Sequence, residues 1–97
     1  MRYNFEWDII KAKQNVHIHK VSFQRAGMIF RDQHAISIFD DTHSQKEDRW
    51  TTLGIDDSGI LLVVSHTFRE INASLCNIRI ISARKATKRE IKQYEER

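Results

Sequence analysis

The chain has 97 residues, enough for one hydrophobic core, and we expect a single domain over residues 1–97. Its composition, 40% hydrophobic and 30% charged, is that of a globular protein and excludes an intrinsically disordered chain. No segment approaches the roughly 20 apolar residues of a membrane span, and the start MRYNFEWDII has no apolar signal region. The sequence therefore predicts a cytoplasmic protein without membrane contact.

The net charge of +3 is unevenly distributed. Residues 79–97 hold seven Lys and Arg against three Glu, whereas residues 40–57 hold six acids against two bases. This asymmetry favours an anionic partner at the C-terminal end. A solvated helix face kept basic for solubility explains the same pattern, so charge alone leaves both interpretations open.

Two helices are predicted in the first third of the chain. Tyr3, Phe5 and Trp7 alternate with polar residues, which is typical of a short strand or an extended arm. Asp8 is a good N-cap, and the apolar spacing after it predicts a helix over about 9–18. Ser22 can cap a second helix that runs to about residue 31.

The middle of the chain predicts strands. They cover 35–39, 49–55, 60–68 and 77–82, with a DDSG turn joining the second to the third. Thr87 and Glu90 form a capping box that begins a helix over about 88–96. The sequence therefore predicts an α+β fold, with a small antiparallel sheet, two N-terminal helices and one C-terminal helix.

Arg79 lies within an apolar strand. Strict alternation places Ile78 and Ile80 on one face, and Asn77, Arg79 and Ile81 on the other. An unpaired buried Arg is costly, so either a carboxylate such as Glu47 or Asp48 pairs with Arg79, or this face is open to a ligand. The pattern supports both equally.

Basic residues continue from the end of this strand into the last helix. Five of them follow within nine positions: Arg84, Lys85, Lys88, Arg89 and Lys92. Cations at a helix start are locally unfavourable, and a bound phosphate removes that cost. We expect the guanidinium groups of Arg79 and Arg84 and the basic turn to form one cradle for ribose-phosphate.

Other catalytic and metal-binding patterns are absent from the sequence. His17 and His19 are two positions apart and do not share a helix face, so no metal site is predicted. There is no glycine-rich phosphate loop, nucleophile elbow or Cys–His arrangement, which excludes the nucleotide triphosphatase and common hydrolase classes. No cofactor is expected.

Several strings resemble the BrnT family of bacterial toxins: FEWDIIKAKQN, VSFQRA, DDTHSQKEDRW, TLGIDDSGILLVV and RIISARKATKREIKQYEE. The resemblance implies a RelE-like fold and a ribonuclease toxin of a type II toxin-antitoxin pair. It also implies a BrnA antitoxin partner, whose DNA-binding domain would give the complex its only contact with operator DNA. Three features depart from the family. Its usual Lys-His-Gly is Ile18, His19 and Lys20 here, with only the histidine kept, Arg25 replaces the usual Glu of the second helix's capping box, and residues 69–77 are longer than the usual turn.

Cleavage of RNA without a metal needs a base, cations for the phosphorane charge, and an acid for the leaving oxygen. We assign charge stabilisation to Arg79 and Arg84, because guanidinium groups bind phosphate with paired hydrogen bonds. Proton transfer is assigned to His19 and to Glu47, which matches a Glu-x-Arg of the family. RNA contacts are expected from Lys20, Lys85, Lys88, Arg89 and Lys92. The alternatives are a non-catalytic nucleic-acid-binding module and a regulatory interaction subunit.

Overall fold

The computed structural model describes residues 2–96. Its strands are β1 (Arg2–Glu6), β2 (Ile36–Phe39), β3 (Arg49–Ile55), β4 (Leu61–Thr67), β5 (Arg69–Asn72) and β6 (Leu75–Lys85). Its α-helices are α1 (Ile9–His19), α2 (Phe23–Gly27) and α3 (Lys88–Glu95), and two short 3-10 helices cover Met28–Arg31 and Asp41–His43. No helix among residues 2–96 is long and apolar enough to cross a membrane.

The strands form one sheet in the order β1-β6-β4-β3-β2, with β5 also paired to β6. All pairs are antiparallel except β1 and β6, which run parallel. β4 is a central strand, and its apolar run Leu61–Val64 is buried, because both faces of the sheet are covered at that point. Polar and apolar residues therefore do not alternate in that run.

Two apolar clusters lie on opposite faces of the sheet. The first joins α2 and the segment around it to β4 and β6, through Val21, Phe23, Ala26, Ile29, Leu62, Val64, Ile78, Ile80 and Ala83. Ala12 of α1 also packs against it. The second is smaller: Leu53, Leu61 and Val63 are covered by Ala86 and by Tyr94 of α3. The face that carries α3 is therefore only partly covered.

The buried side-chain amide of Asn15 forms hydrogen bonds with the part of β6 that extends beyond β1. Asn15 of α1 accepts a hydrogen bond from the Ala83 amide at 3.1 Å and donates to the Ala83 carbonyl at 2.8 Å and the Val21 carbonyl at 2.9 Å. Because β1 pairs only with the first half of β6, these bonds satisfy backbone groups that have no strand partner. Asn15 thereby fixes α1 against β6.

The predicted α+β class is confirmed, and most element boundaries agree within two residues. Three features differ from the prediction. The second helix tightens to 3-10 geometry at Met28, residues 69–77 contain the additional strand β5, and β1 makes the sheet mixed rather than wholly antiparallel. The last two differences depend on pairing between distant segments, which local patterns do not encode.

Candidate active site

A β-bulge places Arg79 and Arg84 on the same face of the sheet. The register pairs His66 with Ile80 and then Ser65 with Ser82, so Ile81 is an extra residue in β6. Strict alternation would place Arg84 with Ile80, on the face covered by α2. The bulge moves Arg84 to the other face, where it is the register partner of Val63 on the side that carries α3.

Glu47 and Arg79 form an ion pair at the open end of this face. The Arg79 Nη2 donates to the Glu47 Oε1, and the Arg49 Nη2 lies 3.7 Å from the same oxygen. The hydrogen bond from Arg79 lowers the pKa of the Glu47 carboxyl, so the group is ionised at neutral pH. Of the two sequence alternatives for Arg79, the pairing with Glu47 is therefore observed, and the pair remains about two-fifths exposed.

The loop before β3 positions Glu47. The Asp40 amide donates to the Arg49 carbonyl at 2.9 Å, which closes the loop, and the Arg49 amide donates to the Ser44 hydroxyl at 3.0 Å. These bonds hold residues 44–49 at the end of β3 and bring the Glu47 carboxylate over β6. The Glu-x-Arg spacing thereby places two charged side chains at one site.

Arg49 lies beside the Glu47–Arg79 pair, although no sequence pattern assigned it a role. Its Nε is buried and, among the described residues, has no hydrogen-bond partner. A buried donor without a partner is costly, and an anion at this point would satisfy it. The signal in the sequence was the same Glu-x-Arg spacing that selected Glu47.

A cavity of about 410 Å³ contains the Glu47–Arg79 pair. It is lined by Glu6, Glu47, Asp48, Thr67, Phe68, Arg69, Asn77 and Arg79. The Arg79 backbone amide donates to the Thr67 hydroxyl at 3.4 Å. The Arg79 guanidinium has donors beyond the one bound to Glu47, so it can bind a phosphate oxygen while the ion pair persists.

Arg84 forms a separate ion pair at the junction of β6 and α3. Its Nη1 and Nη2 donate to the two Glu90 oxygens at 2.8 and 2.9 Å. Glu90 also accepts from the Thr87 amide at 2.9 Å, as its half of the capping box. The Arg84 bonds, with those from Thr87, lower the pKa of Glu90 to about 2. Arg84 therefore stabilises the start of α3.

The two guanidinium groups do not form one cradle. They share a face of the sheet, but each is bound to its own carboxylate. Arg79 and Arg84 are five positions apart along the strand, which corresponds to about 15 Å. The region between them carries three half-buried hydroxyl side chains in one row across the sheet: Thr51, Ser65 and Ser82. No sequence pattern identified this row, because it depends on strand register.

His19 lies apart from the Glu47–Arg79 pair. It is exposed at the end of α1, and its side chain makes no hydrogen bond or ion pair with any residue in the range 2–96. It is one turn beyond Asn15, whose side chain contacts Ala83. His19 therefore lies toward the C-terminal end of β6. The neighbouring Lys20 is in the left-handed conformation, with φ of 61°, and its Nζ donates to the His17 carbonyl at 2.8 Å.

The remaining predicted RNA contacts lie together at the C-terminal end of the described chain. Lys85, Lys88, Arg89 and Lys92, which we term the basic helix surface, are all exposed. None of the four forms an ion pair within residues 2–96. Tyr94 docks α3 by packing on the second apolar cluster and donating to the Asp32 carboxylate at 2.6 Å. The helix therefore presents its cations to solvent.

A larger cavity of about 490 Å³ lies on the opposite side, between β1 and α2. Aromatic side chains dominate its lining: Tyr3, Phe5, Trp7, Phe23 and Phe30. It contains no carboxylate or histidine that could transfer a proton. Among residues 2–96, no cluster of three or more His, Cys, Asp or Glu has the arrangement of a metal site.

Residues 7–90 match the model of the family described as "Ribonuclease toxin, BrnT, of type II toxin-antitoxin system". The fold is similar to the crystal structure of the Brucella abortus ribonuclease toxin BrnT, with a TM-score of 0.61 and 19% sequence identity. That comparison covers 91% of this chain and 100% of the Brucella chain. Comparison with curated proteins finds no significant match.

Proposed function

This chain belongs to the BrnT family of ribonuclease toxins, and from that premise we propose that it cleaves RNA at the Glu47–Arg79 pair without a metal ion. The observation that carries the proposal is the position of the Glu47 carboxylate, between the guanidinium groups of Arg79 and Arg49 in an open cavity. A carboxylate can accept a proton, and two adjacent cations can hold a phosphate.

In this mechanism, the Glu47 carboxylate takes the proton of a ribose 2′-hydroxyl. The resulting oxyanion forms a bond to the adjacent phosphorus, and the bond from phosphorus to the 5′-oxygen breaks. Arg79, together with the partly exposed guanidinium of Arg49 beside Glu47, stabilises the charge on the phosphorane oxygens. The leaving 5′-oxygen takes a proton from solvent water, and Glu47 returns its proton to the hydroxide. The products are a 2′,3′-cyclic phosphate and a 5′-hydroxyl.

The basic helix surface has a supporting role in this proposal. Lys88, Arg89 and Lys92 belong to α3, which packs on the same face of the sheet as Arg79, whereas Lys85 pairs with Leu62 at the end of β6 and lies on the other face. We assign them to RNA phosphates outside the cleaved bond, because they have no acid or base among them that could act on it. With four such contacts to single-stranded RNA, the logarithm of the binding constant should fall with the logarithm of the salt concentration with a slope of roughly −3.

The test is cleavage of an end-labelled RNA by purified protein in excess EDTA. We expect products that end in 2′,3′-cyclic phosphate, and we expect Glu47→Gln to reduce the rate at least about 100-fold, since Gln cannot accept the proton. Asp57→Asn is the matched control, because Asp57 forms an exposed pair with Arg31 away from the cavity. Cleavage that requires added metal, or full activity of Glu47→Gln, would overturn the mechanism.

We also propose that a BrnA-type antitoxin neutralises the protein by covering the basic helix surface. The four unpaired cations would complement an acidic segment, which would then exclude RNA from the same surface. Operator DNA would be contacted only through the antitoxin. Growth arrest on expression of the chain alone, relieved by co-expression of the adjacent small reading frame, supports this proposal. Relief that persists when all four cations are changed to Ala, in a variant that still arrests growth, would place the antitoxin elsewhere.

The separation of the two surfaces favours one alternative function. Because the basic helix surface is apart from Glu47 and Arg79, it can bind nucleic acid without any cleavage at the cavity. A non-catalytic binding module would show salt-sensitive RNA binding with the RNA intact after long incubation. A regulatory subunit would bind its protein partner and show no RNA affinity when free.

A further inference from the structure

A small cavity beside Glu47 contains a histidine that has no part in the mechanism above. Its volume is about 180 Å³, and it is lined by His43, Gln45, Lys46, Glu47 and Arg49. Glu47 also lines the cavity that contains Arg79, so the two cavities adjoin at the proposed base. Arg49 is the register partner of Thr67, which lines the Arg79 cavity, and the cavity of His43 therefore opens on the same face of the sheet.

His43 forms a hydrogen-bonded pair with Asp40. The ring Nδ1 lies 2.9 Å from the Asp40 Oδ2, and the Asp40 Oδ1 accepts from the His43 backbone amide at 3.3 Å. A carboxylate oxygen only accepts, so Nδ1 carries a proton and Nε2 is the ring nitrogen left for another partner. This Nε2 makes no hydrogen bond within residues 2–96, and the His43 side chain is 64% exposed.

The loop before β3 fixes Asp40 next to the proposed base. The Asp40 backbone amide donates to the Arg49 carbonyl at 2.9 Å, and the Asp40 side chain is only 24% exposed. The charged side chains around the His43 ring are Asp40, which bonds it, and Lys46, Glu47 and Arg49, which line the same cavity. A fixed carboxylate bound to Nδ1 sets the tautomer and the orientation of a catalytic imidazole.

We propose that His43 is the general acid of the cleavage step and that Asp40 is its positioning residue. The inference rests on the proposed ribonuclease function and replaces the water that protonates the leaving oxygen there. A side chain that donates this proton accelerates cleavage, because the 5′-oxygen otherwise leaves as an alkoxide. A phosphate held by Arg49 beside Glu47 would share its cavity with the His43 ring, so a base and an acid would both line the site of the reacting phosphate.

In this step, Glu47 takes the 2′-hydroxyl proton, the 2′-oxygen bonds to phosphorus, and the bond from phosphorus to the 5′-oxygen breaks. Protonated His43 gives its Nε2 proton to the departing 5′-oxygen and becomes a neutral imidazole, with Nδ1–H still bound to Asp40. Glu47 then releases its proton to water, and Nε2 takes a proton from water, so both groups return to their starting states. The wild-type rate should therefore fall as rising pH deprotonates His43.

The test compares two dinucleotide substrates that differ only in the leaving atom. One is ordinary RNA, and the other has sulfur in place of the bridging 5′-oxygen, so its thiolate leaves without protonation. In excess EDTA, His43→Ala should lose about 100-fold or more in rate on the oxygen substrate and remain within about threefold of wild type on the sulfur substrate. Glu47→Gln should lose rate on both substrates, because both need the base.

His34→Ala is the matched control, because His34 is also exposed but lines neither cavity that contains Glu47. It should cleave both substrates at the wild-type rate, and thermal unfolding shows whether each variant is folded. An equal rate loss of His43→Ala on both substrates would show that His43 only holds the loop, and would overturn the acid assignment. A wild-type rate of His43→Ala on the oxygen substrate would also overturn it.

Asp40→Asn tests the positioning role, because Asn keeps an oxygen for the His43 amide but removes the charge at Nδ1. Long-range ¹H–¹⁵N spectra should show neutral His43 with its proton on Nδ1 in the wild type, and Asp40→Asn should lose rate on the oxygen substrate alone. A wild-type proton on Nε2, or a full rate in Asp40→Asn, would overturn the role of Asp40. Failure of the wild type to cleave either substrate would instead overturn the ribonuclease function, and this inference with it.

Discussion

Arg79 and Arg84 point to the same face of β6 although five positions separate them, because Ile81 forms a bulge between them. The bulge gives the two residues different roles on one surface. Arg79 lies in an open cavity beside Glu47, whereas Arg84 closes the capping box of α3 through Glu90. The pair at Arg79 is available to a substrate, and the pair at Arg84 organises the helix that carries the basic surface.

The Arg84–Glu90 pair should contribute to stability. Glu90→Ala removes two hydrogen bonds to Arg84 and one to the Thr87 amide, and we expect a loss of about 1–2 kcal/mol in the free energy of unfolding. Denaturant unfolding measures it. Glu95→Ala, an exposed change on the same helix, should alter stability by less than about 0.5 kcal/mol. Equal effects of the two variants would contradict the structural role of Glu90.

Asn15 should tolerate no acidic replacement at neutral pH. In Asn15→Asp, an ionised carboxylate would face the Val21 and Ala83 carbonyls that now accept from the amide. Its folded-state pKa should therefore be raised, so the variant should gain stability as pH falls from 7 to 4. Unfolding at both pH values tests this, with the exposed Gln14→Glu as control. A stability difference from wild type that does not change with pH would contradict the buried contacts.

Asp56 should make stability fall in acid. Burial alone would raise the pKa of Asp56, but the hydrogen bonds from Arg25, Ile60 and Ser58 together lower it to about 2. A lowered folded-state pKa contributes stability above the unfolded value of 3.8, and the contribution is lost as pH falls toward 2.

The variant Asp56→Asn isolates this effect. At pH 6 it should be less stable than the wild type by about 2 kcal/mol, and the difference should shrink as pH falls from 4 to 2. Unfolding free energies measured at intervals over that range give the comparison, with Asp57→Asn as the exposed neighbour. A difference that stays constant down to pH 2 would show that the carboxylate charge is not the source.

Local patterns predicted the helices, most strand limits and the Thr87–Glu90 capping box, because these depend on neighbouring residues. The sequence also named Glu47 as one possible partner of Arg79. It did not reveal the bulge at Ile81, since two adjacent isoleucines also occur in regular strands and the extra residue is defined only against β4. The separation of Arg84 from Arg79, the unpartnered Nε of Arg49 and the hydroxyl row also depend on register between distant strands.

Mutation of His19 tests whether this residue acts apart from the Glu47–Arg79 pair. Because it lies toward the C-terminal end of β6 and makes no contact with Glu47 or Arg79, His19→Ala should cleave RNA near the wild-type rate. The comparison is a single-turnover rate across pH 5–8, where a catalytic histidine would produce a titration. A rate loss as large as that of Glu47→Gln would show that His19 takes part in proton transfer.

Arg79 and Arg84 should respond differently to mutation, because Arg79 lies in the proposed active site and Arg84 stabilises α3. Single-turnover cleavage in EDTA should be measured for Arg79→Ala and Arg84→Ala, together with the free energy of unfolding of each. We predict that Arg79→Ala loses about 100- to 1,000-fold in rate with stability near wild type. Arg84→Ala should lose stability and keep most of its rate under conditions where it is folded. Wild-type cleavage by Arg79→Ala, with the larger rate loss in folded Arg84→Ala, would contradict the assignment of the active site to the Glu47–Arg79 pair.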